Sequence, residues 1–135
     1  MARTKQLIGL DVGTARIGIA LADASVRIAI PNGVVDVDGN EVQSIAQLVI
    51  SNNIDTIVVG YPRNQAGVAT AQTTLVEDFA ARLKDIDAGI VYQDESLTSV
   101  IAEKRLIARG KSYTKGDIDS EAAVIILQDY MEQYL

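Results

Sequence analysis

The stretch LIGLDVGTARIGIALAD, residues 7–23, is an apolar run interrupted by Asp11, a Gly-Thr pair and Arg16. Residues 6–11 and 16–22 read as two strands. Val12-Gly13-Thr14-Ala15 between them is short enough for a hairpin and carries a glycine that permits the turn. A charge at Asp11 is out of place in a buried strand. Either it marks the turn, or it is held there for something in solution that needs a carboxylate.

Outward from this hairpin, Val26 to Val37 reads as a third strand, which Pro31-Asn32-Gly33 must break or bulge because proline has no N–H for the ladder. DVDGNE, residues 36–41, closes the meander as an acidic turn. Val42, Ile45, Ala46 and Val49 fall at i, i+3, i+4 and i+7 and predict a helix from Glu41 to Asn52. The β-branched run Thr56 to Gly60 predicts a strand buried on both faces, of the kind that pairs in parallel beneath helices. After YPRNQAG, residues 61–67, a second helix is lined by Leu75, Val76, Phe79 and Leu83. Gly89 to Asp94 repeats the buried-strand pattern, Thr98 to Arg109 reads helical, and Ile118 to Tyr134 forms the last helix. The expected architecture is α/β: a mixed five-stranded sheet, an antiparallel three-strand meander plus two strands parallel to the first, flanked by helices on both faces.

A chain of 135 residues fits one compact domain, residues 1–135. It contains no cysteine and no histidine, which excludes disulfides, thiolate chemistry, imidazole ligands and the usual general base. Chemistry falls to carboxylates, hydroxyls, lysine, arginine or a bound metal. No stretch approaches the ~20 apolar residues of a membrane span, and MARTKQ before a short strand does not read as a signal peptide, so the expected location is the cytoplasm. The formal charge of −6 argues against nonspecific coating of nucleic acid. One local basic run, residues 104–115, carries Lys104, Arg105, Arg109, Lys111 and Lys115 with no acid among them. On charge alone it is a solvated helix end; beside a carboxylate site it would be a rim that draws phosphate.

Three acids stand out. Asp11 ends the first strand, Glu95 with Asp94 beside it ends the last, and Asp119 opens the last helix. In open α/β sheets the working crevice lies outside the carboxyl ends of the strands, which puts Asp11 and Glu95 on a common edge. Counting by three and four from Asp119 gives Ala122, Ala123, Ile126 and Tyr130, so its charge lies along the sheet-facing stripe. Each acid alone has an ordinary structural role: a turn aspartate, the start of a helix, an N-cap or first-turn charge. Converging, the three would repel one another strongly unless a divalent cation sat among them, and oxygen ligands suit Mg²⁺ or Mn²⁺. Ions so held can clamp both oxygens of a phosphodiester in hydrolysis.

The opening D-x-G-T hairpin is shared by RNase H-like nucleases and by the actin, sugar-kinase and heat-shock ATPase superfamily, whose two-domain nucleotide site is too large for this chain. Together, LDVGTARIGIALAD, IVVGYPRNQAG, YQDESLTSVIAEKRL and KGDIDSEAAVIILQDYMEQY, in this order and spacing over nearly the whole chain, resemble the YqgF/RuvX family of pre-16S rRNA nucleases, also described as Holliday junction resolvases. The resemblance implies an RNase H-like fold and a metal-dependent nuclease acting in ribosomal RNA maturation, with Asp11, Glu95 and Asp119 as catalytic and metal-holding residues. Nucleic acid is the implied partner: structured or single-stranded RNA, a ribosome precursor, or branched DNA. The alternatives are a resolvase of branched DNA and a binding module without turnover; the chain would be a monomer or a homodimer.

Arg16, Arg63, Asn64, Arg105 and Arg109 are the candidate substrate contacts, with Arg16 alternatively only neutralising an acid. Two positions depart from the family pattern. Ser96 stands where an arginine able to grip phosphate is usual, and Ile101 where an acid would complete a capping box with Thr98, leaving the threonine cap alone.

Overall fold

The computed structural model describes residues 4–62, 70–95 and 98–135. Five strands, β1 (Gln6–Val12), β2 (Arg16–Asp23), β3 (Ile30–Asp36), β4 (Thr56–Pro62) and β5 (Gly89–Glu95), form one sheet in the order β3-β2-β1-β4-β5. β1 pairs antiparallel with β2 and β2 with β3, whereas β1–β4 and β4–β5 are parallel. This is the expected mixed sheet: the tight turn after Val12 dictates an antiparallel neighbour, and helices α1 (Glu41–Ser51) and α2 (Ala71–Arg82) supply the crossovers that parallel strands require.

Proline at position 31 is tolerated because β3 lies at the edge of the sheet, and the pairing slips where expected: Gly18 opposes Val34, but Ala20 opposes Pro31. The strand starts at Ile30 rather than Val26. Residues before it are taken up by a turn in which the Val26 and Arg27 amides donate to the Asp23 carbonyl, while the Asp23 carboxylate accepts from the Ser25 amide and hydroxyl.

Alternation along the strands gives the sheet two unlike faces. Ile8, Leu10, Val12, Ile17, Ile19, Ile57 and Val59 point to one side and pack on Ile45 and Val49 of α1 and on Val76 and Phe79 of α2. On the other side the strands present mostly small residues, with Leu7, Ala20, Ala22 and Val58 meeting Ala123, Ile126, Leu127 and Met131 of α4 (Lys115–Tyr134). Helix α3 (Thr98–Ala108) lies outside α4, where Ala102 packs on Ala122 and Ile125. Sandwiched between sheet and α3, α4 is buried all round from Ser120 to Leu127.

Two expectations are corrected. β5 is an edge strand and is not buried on both faces; of its residues only Gln93 is buried and Tyr92 is exposed. The last helix begins at Lys115 rather than Ile118, because Thr114 caps it in a reciprocal box with Asp117. Asp119 therefore lies past the first turn, and the reading of it as an N-cap or helix-opening charge is set aside.

Candidate active site

Asp11 shares the α4-facing parity of Leu7 and Gly9, so its carboxylate sits on the small-residue face at the carboxyl end of β1. Its cross-strand partner is Gly18. A Cβ on Gly18 would run into the Asp119 carbonyl, so α4 lies directly on the hairpin at that point, pinned by the Ser120 hydroxyl donating to the Ile19 carbonyl at 2.9 Å. On the other side of Asp11, a Cβ on Gly60 of β4 would meet the Glu95 carboxylate and Ile126. Two glycines thus clear space at the site, Gly18 for the backbone of α4 at Asp119 and Gly60 for the Glu95 carboxylate. The sequence contained this signal, glycine at the site end of two otherwise aliphatic strands, but only the sheet register shows its meaning.

The electrostatics follow from this crowding. Burial, then the charges of Glu95 and Asp119, push the Asp11 carboxyl up to about 7. Burial also raises Glu95, with the Thr98 hydroxyl, hydrogen-bonded to it, pulling the other way. Thr98 is therefore engaged on the candidate site. Glu95 Oε2 is buried without a hydrogen-bond partner. A buried carboxylate oxygen with no donor is unfavourable on its own and suited to a cation. Asp119 is differently engaged: its Oδ2 accepts from Arg16 Nε at 2.7 Å. Among the described residues no three acids form a ready-made cation cage. The donor set nonetheless fits a hard divalent ion, being all oxygen, with one buried oxygen of Glu95 left without a hydrogen-bond partner.

The remaining candidates fall into three groups. Arg16 is in the site, bonded to Asp119. Arg63 and Asn64 lie outside the described residues, as does Ser96. Arg105 and Arg109 have a partner the sequence reading did not supply: Arg109 makes a two-point contact with Glu121 at 2.8 and 3.3 Å, and Arg105 Nη1 lies 3.7 Å from the same carboxylate. Glu121, buried in α4 beneath α3, is thus held by cations that its own charge requires. Lys104, Lys111 and Lys115 are exposed.

Acids at the carboxyl ends of β1 and β5 and on the helix that covers them, over a β3-β2-β1-β4-β5 mixed sheet, define an RNase H-like nuclease fold. Solved structures share it: RuvC of Thermus thermophilus in complex with a Holliday junction substrate aligns with a TM-score of 0.58 at 13 % identity, over 96 % of this chain and 94 % of that one. The fowlpox virus Holliday junction resolvase aligns at 0.59 and 16 % identity, over 95 % and 99 %. Residues 5–133 match the family described as RuvX: Holliday junction resolvase, and the chain belongs to it. Among curated relatives, one from Synechocystis sp. is 39 % identical over 98 % of this chain and 90 % of its own. One from Chlorobaculum tepidum is 35 % identical over 96 % and 95 %, and both are named "Putative pre-16S rRNA nuclease". Membership places the chain among phosphodiester-cleaving nucleases.

Proposed function

We propose that this chain is a divalent-metal-dependent endonuclease that hydrolyses phosphodiester bonds in pre-16S ribosomal RNA during ribosome biogenesis in the cytoplasm, with Asp11, Glu95 and Asp119 as its catalytic set. The observation that carries the reading is the crowding of Asp11 by Glu95 and Asp119 in a site where Glu95 Oε2 has no hydrogen-bond partner. The relatives' name supplies the substrate.

In this reading Asp11, Glu95 and Asp119 hold Mg²⁺ or Mn²⁺. When bound, such ions activate water and stabilise the charge that develops on phosphate oxygens. The chain's own contributions are positional. β1 and β5 fix Asp11 and Glu95 at one sheet end, Thr98 orients Glu95, and the close seat of α4 on Gly18 fixes Asp119. Arg16, Arg63 and Asn64 are the residues assigned to the substrate's phosphate and sugar. No histidine exists to take a proton from water.

Cleavage of a pre-16S RNA fragment and of a four-way DNA junction, each with Mg²⁺, Mn²⁺ or chelator, tests the proposal. The expected result is metal-dependent cleavage of the RNA, lost in Asp11→Asn. Preference for the junction would make it a resolvase, and tight binding without cleavage of either would make it a binding module.

A further inference from the structure

We propose that Arg16 is a built-in counter-cation of the acidic site, held on Asp119 until a substrate phosphate takes it, so that uptake of a divalent cation and binding of nucleic acid are coupled. This rests on the reading of Asp11, Glu95 and Asp119 as the metal-holding set. The pair joins β2 to α4 across 103 positions of sequence, with Nε 2.7 Å from Oδ2. Its side chains are 33 % and 23 % exposed, within reach of solution. The ion pairs that fasten the fold differ in the acid and not in the arginine: Glu41 and Glu121 are 4 % and 3 % exposed, while their arginines, Arg82 and Arg109, are 51 % and 54 % exposed.

The backbone on both sides of the pair is fixed independently, by the Ser120 hydroxyl on the Ile19 carbonyl and by the contact of Gly18 with the Asp119 carbonyl. Opening the pair therefore needs side-chain rotation and no change of fold. Without a metal, the guanidinium offsets the mutual repulsion of three carboxylates. With one, the same guanidinium beside Asp119 repels the arriving dication. A phosphodiester resolves the conflict, because it offers a planar guanidinium a two-point contact and draws it off the carboxylate. Asp119 is then released as nucleic acid arrives. By reciprocity, the metal must tighten nucleic-acid binding by the factor with which nucleic acid tightens metal binding.

The test is Mn²⁺ titration, read by the electron paramagnetic resonance of free Mn²⁺, of metal-free wild type, Arg16→Gln and Asp11→Asn, with melting curves to verify folding. A fluorescent 2′-O-methyl RNA oligonucleotide is then titrated into wild type and Arg16→Gln with and without Mn²⁺. Arg16→Gln should bind Mn²⁺ roughly three- to tenfold more tightly than wild type. Mn²⁺ should strengthen oligonucleotide binding in wild type and do so less in the variant. Unchanged or weaker Mn²⁺ binding by Arg16→Gln, while Asp11→Asn abolishes it, overturns the counter-cation role and leaves the metal site standing. Mn²⁺ binding that is undetectable in wild type, or unaltered in Asp11→Asn, overturns both.

Discussion

On the α1/α2 side of the sheet, the buried carboxylate of Glu41 accepts from the Gly39 amide at 2.7 Å and from Arg82 Nη2 at 2.9 Å. Arg82 and the backbone donors hold it below the usual carboxylate range. On the α4 side, Glu95 leaves one buried oxygen without a partner and Asp11 is pushed up to about 7. Both sides bury acid, but at the carboxyl ends of β1 and β5 it is left incompletely satisfied. The sheet's own side chains differ in parallel: large aliphatic residues fill the first face, while Gly9, Gly18, Ala20, Ala22 and Gly60 thin the second so that α4 can approach. Where an acid serves the fold, the fold supplies its donors; where donors are missing, the acid is kept for a ligand. Glu121 follows the first pattern although it lies on α4, because Arg105 and Arg109 close over it.

The comparison breaks most visibly at adjacent residues of β1. Leu10→Ala removes a fully buried side chain from the aliphatic face and should cost about 2–5 kcal/mol in denaturant unfolding, with Mn²⁺ affinity of the folded fraction unchanged. A loss of Mn²⁺ affinity there would mean that the two faces are not separable. Next in size is Gly18→Ala. Its Cβ has no room beside the Asp119 carbonyl, so α4 must lift at its site end, costing about 1–3 kcal/mol and, in a cleavage assay, most of the activity. Retained activity would show that Asp119 need not be held so closely. Arg109→Ala should cost about 1–2 kcal/mol, less than a sealed pair would, because the guanidinium is half-exposed and Arg105 remains. Its oligonucleotide affinity should keep the wild-type salt dependence; a flattened slope would return this arginine to the nucleic-acid surface.

What the sequence made legible was what alternation and helical spacing carry. Strand order followed from the tight connection at Val12-Gly13 and from helical segments of crossover length, and the stripe counted from Asp119 meets the sheet through Ala123 and Ile126, whereas Ala122 faces α3. What it hid depended on partners far along the chain. The basic run 104–115 looked uncommitted because Glu121 lies in the next helix, and the Thr114–Asp117 box that starts α4 was concealed inside that run. β5 read as buried because its apolar residues resemble those of β4, but among the described residues no sixth strand flanks it. The glycines that admit α4 look like any strand glycine until the register places Gly18 opposite Asp11.

The central claim, that Asp11 is buried and crowded by two further acids because a metal is held there, is tested most directly by melting metal-free wild type and Asp11→Asn across about pH 4 to 8, then repeating at neutral pH with Mn²⁺. Asp11 in the folded chain holds its proton to about 7, against 3.8 ordinarily, so its contribution to stability is fully present below 3.8 and is lost as pH rises through about 7. Glu95, also raised, acts with the same sign, whereas the depressed Glu41 and Asp23 lose their contributions as the solution becomes more acidic. Asparagine cannot ionise. Metal-free Asp11→Asn should therefore lose part of the decline toward neutral pH and exceed wild type at pH 7 by roughly 1–3 kcal/mol, while failing to gain the Mn²⁺-dependent rise in Tm that wild type shows. An Asp11→Asn protein that is less stable than wild type at neutral pH, yet gains the full Mn²⁺ shift, would contradict the account and make Asp11 a structural aspartate of the hairpin.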